Sequence, residues 1–278
     1  MIDSRKLAAA CGAASLAILA VCGPAAADGY EEYAAPPPPA EEGRKFTYSF
    51  NLAVTNDYIF RGFSQSERDP VPQGGVDIGW GMLYAGIWAS GVDFGGPLAP
   101  GDGYDAQTEI DYYAGITPTW GPANFDFAVL YYTYPAATDF LAELDYVELK
   151  AKVSGDIAPS LNTGLTVYWS PEYSGETGSV WTLEGAAAYE FHKVAIFTPS
   201  VSGTLGYQTG DDQGWKNVFA NGSGSYTYWN AGLSLGVENL TFDFRYWDTN
   251  ISNANGFCTG GSFQCDSAFQ FTAKVAVP

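Results

Sequence analysis

Histidine is almost missing from this chain: among 278 residues there is one, His192. Hydrolases built on barrels or sandwiches generally need a histidine beside a serine or an acid to take and return a proton, so that chemistry is disfavoured. Positive charge is scarce as well, with 12 Lys and Arg against 31 Asp and Glu and a net charge of −19. That balance argues against nucleic acid as a partner. Charged residues of both signs make up only 15% of the sequence, where a soluble domain carries about 25%. Long apolar runs are also lacking: after residue 27 nothing approaches the roughly 20 apolar residues that a membrane-spanning helix needs. What is plentiful is aromatic residues, at 16%, and glycine, with 33 copies.

The first residues read as an export signal. Arg5 and Lys6 precede an apolar run from Leu7 to Val21, and Ala25, Ala26 and Ala27 supply a small-residue cleavage site before Asp28. Cleavage after Ala27 removes Asp3, Arg5 and Lys6 and leaves the chain one charge more negative. It also removes Cys11 and Cys22, leaving Cys258 and Cys265 seven residues apart. In an exported protein such a pair is expected as a disulfide. A metal site there would lack a histidine to complete it, and no metal or other cofactor is expected. Residues 28–45 carry Pro36 to Pro39 among five acids and read as a stiff, solvated periplasmic tail.

From residue 46 the pattern changes. Phe46, Tyr48, Phe50, Leu52 and Val54 alternate with Thr47, Ser49, Asn51, Ala53 and Thr55, the period of a strand with one apolar and one polar face. Its length suits a tilted strand crossing a bilayer, about 9–11 residues. Tyr58 and Phe60 read as its aromatic end, and Arg61-Gly62 as the start of a polar loop. A second run, 73–80, comes back, and after Gly81 and Met82 a third leaves again. The same unit recurs to Val277, with weaker runs at 181–189 and 199–208 and a long loop at 209–225. The expected fold is all-β over residues 46–278: an antiparallel up-and-down transmembrane barrel of about 12 strands, with short periplasmic turns and long extracellular loops. Trp169, Trp181, Trp229 and Trp247 would form the outer aromatic girdle and Trp120 the inner one. A soluble β-sandwich would not need such regular loop asymmetry.

Alternation also assigns the interior. Asp77, Glu109, Asp111, Asp126, Glu148, Lys150, Lys152, Glu184, Asp243, Arg245 and Lys274 fall on the polar faces and are expected to line a lumen. Outer loops add Asp93, Asp102, Asp105, Asp211, Asp212 and Asp266. Glu148 with Lys150, and Asp243 with Arg245, share faces and are expected to pair in part. Arg61, at the rim with Asp57, would pair with Asp57 or Glu67 or stand as a positive constriction. Carboxylates such as Glu109 and Asp126 could be read as a glycosidase pair, but acids lining a wet lumen need no such role. An acidic lumen favours cations. The expected function is a passive outer-membrane channel for small polar solutes or ions, and not an enzyme. A sealed structural or receptor barrel is the alternative, and an outer-membrane hydrolase a remote one. Expected partners are outer-membrane lipid, the barrel-assembly machinery and the solutes; the sequence leaves the oligomeric state open.

One stretch resembles a known family. Residues 56–65 (Asn-Asp-Tyr-Ile-Phe-Arg-Gly-Phe-Ser-Gln), 73–77 (Gln-Gly-Gly-Val-Asp), 84–90 (Tyr-Ala-Gly-Ile-Trp-Ala-Ser) and 109–115 (Glu-Ile-Asp-Tyr-Tyr-Ala-Gly) are similar to the TorF-like putative porins of proteobacterial outer membranes. The resemblance is specific over about 46–117, and residues 146–150 and 168–173 extend it more loosely. It implies an outer-membrane barrel and adds an address more than a mechanism. Where many outer-membrane barrels end on an aromatic residue, this sequence ends Val275, Ala276, Val277, Pro278.

Overall fold

The structure is a computed structural model that describes residues 46–94, 106–135, 137, 143–259 and 263–277. Its strands in chain order are β1 (Phe46–Thr55), β2 (Ile59–Phe60), β3 (Phe63–Ser64), β4 (Val71–Trp80), β5 (Leu83–Gly91), β6 (Thr108–Ile116), β7 (Thr119–Trp120), β8 (Ala123–Thr133), β9 (Tyr146–Ala158), β10 (Leu161–Ser170), β11 (Val180–Glu190), β12 (Thr198–Gly210), β13 (Ser225–Val237), β14 (Leu240–Thr249) and β15 (Ala268–Val277). Twelve of them, all but the two-residue β2, β3 and β7, form one antiparallel ring. Each pairs with its neighbour along the chain, β6 pairs with β8, and β1 closes the ring between β4 and β15. Closure leaves no unpaired ladder edge, which a sheet in lipid could not tolerate.

The alternation read from the sequence is the alternation of the walls. On β1, Phe46, Tyr48, Phe50, Leu52 and Val54 face outward and exposed, while Asn51, Ala53 and Thr55 are buried inside. Leu165, Leu205 and Phe244 likewise stand exposed on the outer surface. A belt of this kind is stable only against hydrocarbon; in water it would be a patch far beyond the few hundred Å² that a soluble monomer exposes.

The connections differ sharply between the two ends. At the end where β1 begins, strands turn through residues 81–82, 117–122, 159–160, 191–197 and 238–239; at the other end they run through 56–70, 92–107, 134–145, 171–179, 211–224 and 250–267. We call these the turn end and the loop end. Several sequence expectations change in detail. β9 runs on to Ala158 through Gly155, so only residues 159 and 160 turn the chain into β10. The weak run at 199–208 is a full 13-residue strand, β12. The loop at 209–225 contains helix α1 (Gln213–Phe219), capped by Asp212, whose Oδ1 accepts from the Gly214 amide at 2.7 Å. Trp181 faces outward, but Trp247 does not belong to a girdle: it is buried in the lumen and donates through Nε1 to Gln270 at 2.8 Å. Residues 1–45, expected as leader and tail, and loop acids Asp102 and Asp105 lie outside the described residues.

Candidate functional site

The main departure from the sequence reading is residues 56–70. Instead of leaving the barrel as a polar loop, this segment folds back into it. β2 and β3 make a two-stranded hairpin separate from the wall, with Phe60 opposite Phe63. Arg61 and Gly62 form its tip with φ of 49° and 89°. Two successive positive φ values make the tight mirror-image turn whose twist suits a hairpin. Gly62 is required twice over, since a Cβ there would also meet Thr249 Cγ2 at 2.4 Å. Tyr58 and Phe60, expected as the aromatic end of a strand, are buried with Ile59 and Phe63 inside the lumen.

At the tip Arg61 reaches β9 on the far wall. Its Nη1 and Nη2 each donate to one oxygen of Glu148 at 2.8 Å, and both side chains are only 1% exposed. The Tyr132 hydroxyl donates to Glu148 Oε2 at 2.9 Å, and the guanidinium lies 4.6 Å from the Phe60 ring centre and 4.7 Å from that of Tyr168. A planar fork matched to a carboxylate and stacked on aromatic faces is the arrangement for which arginine is suited and lysine is not. This corrects the expectation for Arg61: its partner is neither Asp57 nor Glu67, and it sits inside the barrel, not at its rim. Asp57 is also buried. Its Oδ1 accepts from Ser64 Oγ at 2.6 Å and Ser66 Oγ at 3.2 Å, which ties off the base of the hairpin. Burial pushes the Asp57 carboxyl above its usual range, and the two serine hydroxyls oppose that rise.

Around the hairpin the wall is polar. Tyr58 donates to Glu109 at 2.9 Å, Gln270 Nε2 donates to the Asp57 carbonyl at 2.7 Å, and Tyr226 donates to Gln208 at 2.6 Å. Glu184 accepts from the Tyr228 hydroxyl, and Asp111 lies buried one inward position from Glu109 on β6. Above the hairpin, toward the loop end, Trp215 of α1 stacks on Tyr226 and Phe219 packs edge-on against Phe63. Three ties come from the surrounding loops: the Ser64 amide donates to the Gln264 carbonyl at 2.8 Å, the Asp93 amide to the Gln65 carbonyl at 2.8 Å, and Arg68 pairs with Asp266. The Cys258–Cys265 disulfide is formed, with both cysteines buried, so the cysteine loop that supplies Gln264 and Asp266 is fastened over the hairpin.

Nearer the turn end the remaining expected lining residues form smaller groups. Asp77 accepts from Tyr113 at 2.6 Å and Ser49 at 3.2 Å. Asp126 accepts from Tyr84 at 2.7 Å and holds Lys150 at 3.2 Å. Asp243 and Arg245 pair through two contacts of 3.0 Å, as the spacing suggested, and Arg245 reaches Asn230 and Ser202 as well. Glu148 therefore pairs with Arg61 and Lys150 with Asp126, in place of the Glu148–Lys150 pair expected from their shared face. Lys152 and Lys274 face inward and half-buried on opposite walls, β9 and β15. Signals for the inserted hairpin were present in the sequence: Tyr58, Ile59, Phe60 and Phe63 are too apolar for a solvated loop.

The sequence between residues 39 and 276 matches a family described as a bacterial protein of unknown function, Gcw_chp. The chain belongs to this family. Nothing among curated proteins matches it. Among solved structures it is similar to the KdgM porin, both in complex with disordered oligogalacturonate (TM-score 0.51, 7% identity, 83% of this chain and 98% of that one) and in a second structure (0.51, 8% identity, the same coverage). It also aligns with the NanC porin at a TM-score of 0.49 and 13% identity, over 84% of this chain and 100% of that one. At such identity the likeness is one of fold: a closed antiparallel β-barrel.

Proposed function

We propose that this Gcw_chp protein is a porin-like barrel of the outer membrane that lets small polar solutes or ions diffuse through its lumen, with a modest preference for cations. The conformer described here is its closed one. The observation that carries the reading is the wall at the level of the hairpin. Gln73, Glu109, Glu148, Thr182, Glu184, Gln208 and Gln270 all point inward there, fully buried. A barrel sealed for good would fill that level with apolar side chains at lower cost, because buried ion pairs are often matched or bettered by well-packed hydrophobic ones. The resemblance of residues 56–65 and their neighbours to the TorF-like putative porins points the same way, as does the fold shared with KdgM. The apolar outer belt calls for lipid, and an exported chain for cleavage after Ala27 and help from the barrel-assembly machinery. Enzymatic chemistry is not part of the proposal: His192 stands exposed in the connection between β11 and β12.

A second reading, a sealed structural barrel, is favoured by one observation, the burial of the Arg61–Glu148 pair. Planar-bilayer recording separates the two. The mature protein is expected to open infrequently and, in a potassium chloride gradient, to show a reversal potential on the cation side that shrinks as salt rises and screening shortens to about 8–10 Å. Anion preference would overturn the selectivity and point to Lys150, Lys152 and Arg245 as the controlling charges. Complete silence over many insertions would favour the sealed barrel.

A further inference from the structure

Arg61 sits in the wall as a ligand sits in a site. The wall supplies a carboxylate, Glu148, whose two oxygens meet two guanidinium nitrogens at 2.8 Å, and a hydroxyl, Tyr132, that fixes one of those oxygens at 2.9 Å. It also supplies an aromatic face, Tyr168, at 4.7 Å from the guanidinium carbon. These three residues come from neighbouring strands β8, β9 and β10 and belong to the barrel proper. The cation comes from a segment that the barrel does not need for closure: β1 pairs with β4 in unbroken register from Phe46–Trp80 to Thr55–Val71, and residues 56–70 merely join their ends. The hairpin shares no ladder with any barrel strand. Its backbone is held at positive φ at Arg61, Glu67 and Arg68, conformations that non-glycine residues adopt at a cost and that gather at switch segments. Beside Arg61 lies a cavity of about 30 Å³ lined by Phe60, Gln65, Tyr146, Tyr173 and Tyr226, room for a water or two at the head group.

We infer that Glu148, Tyr132 and Tyr168 form a binding site for the head group of an organic cation, guanidinium or primary ammonium, and that the Arg61 side chain occupies it as a tethered stand-in. A diffusing cation that takes the site displaces Arg61, frees the hairpin and exposes the carboxylates of Glu109 and Glu184. The pairing and the aromatic face favour guanidinium over ammonium, because only the planar fork matches both carboxylate oxygens at once. The inference rests on the porin-like reading for its consequence in current, not for the binding itself.

The test uses the full mature barrel, refolded in detergent, with ethylguanidinium chloride as the probe and ethylammonium chloride for comparison. By calorimetry, Arg61→Ala should bind ethylguanidinium at least about tenfold more tightly than the unaltered protein, and Arg61→Ala with Glu148→Gln should lose that binding. In planar bilayers Arg61→Ala should conduct more often than the unaltered barrel, with ethylguanidinium blocking the current. Glu148-dependent binding without any current would keep the site and remove the channel reading. Current without Glu148-dependent binding would keep the channel and overturn the site, as would equal binding by all three proteins. Folding is checked by the gel-mobility shift on heating. Should Arg61→Ala fail that check, Arg61→Met, which keeps the stem and removes only the charge, takes its place with the same outcomes.

Discussion

The two ends of the barrel interior are built from the same alternating strands and differ in what fills them. Toward the loop end, inward residues such as Thr55, Glu148, Tyr168, Gln208 and Tyr228 are sealed from solvent under the hairpin, α1 and the cysteine loop. Toward the turn end, inward residues on the same strands, Ser49, Lys152, Asn162 and Ser200, keep part of their surface open, while Asp77 on β4 is covered by Tyr113. Strand periodicity is equal in both halves, so it cannot cause the difference. The cause is what folds in at the loop end, residues 56–70 with α1 and the cysteine loop packed over them, and the lesson is that alternation decides which way a side chain points while the loops decide whether it meets water.

Removing Glu148 should have the largest effect on this contrast. Glu148→Ala leaves the Arg61 charge buried without its carboxylate, at a cost of about 3–5 kcal/mol. The hairpin is then expected to leave the lumen, so trypsin should cut after Arg61 or Arg68 in barrels that otherwise remain folded. A chain as resistant as the unaltered one would mean that the hairpin is held by packing alone. Next in size is the disulfide. It closes a short loop, so replacing Cys258 and Cys265 by serine should cost about 2–3 kcal/mol at most by the chain-entropy account. The loss should fall on the loop end: hydrogen exchange should quicken at Ser64 and Gln65 and stay unchanged at the turns. Quickening throughout the barrel would show that the cysteine loop supports the walls as well.

The smallest expected effects compare two inward glycines. A Cβ at Gly206 would sit 2.1 Å from the ring of Tyr228, whereas at Gly164 its nearest neighbour would be Lys152 Cε at 3.6 Å. Gly206→Ala should therefore cost about 1–3 kcal/mol through overpacking. Gly164→Ala should be neutral, or stabilising by about 0.4–1 kcal/mol through the stiffer unfolded chain. Urea unfolding in lipid vesicles measures both, and equal losses would contradict the difference in filling.

Much of the fold was readable because a barrel in lipid imposes the same local rule on every strand. Phe46 to Thr55 and Leu240 to Trp247 announce their facing residue by residue, and the Cys258–Cys265 pair needed only an exported address and a short separation. What was not readable depends on contacts across the lumen. Arg61 and Glu148 are 87 residues apart, one on the inserted hairpin and one on the wall, and nothing local in either segment names the other. For Arg61 the sequence offers only its neighbours, Asp57 and Glu67. Trp247 alternates onto the same face as Asp243 and Arg245, yet its height near a strand end suits a girdle equally well. The apolar residues of the 56–65 segment carried the missing information, but a strand end in a girdle and a hairpin in a lumen have the same composition.

The central claim, that residues 56–70 close an otherwise polar passage, is tested most directly by taking them away. Residues 57–69 can be replaced by a short Gly-Ser linker without breaking a wall pairing, because Thr55 and Val71 are already partners. In planar bilayers the shortened barrel should carry a steady, cation-biased current at nearly every insertion, against infrequent openings for the unaltered protein. A shortened barrel that is folded and as silent as the unaltered one, or an unaltered barrel that conducts equally well, would contradict the account.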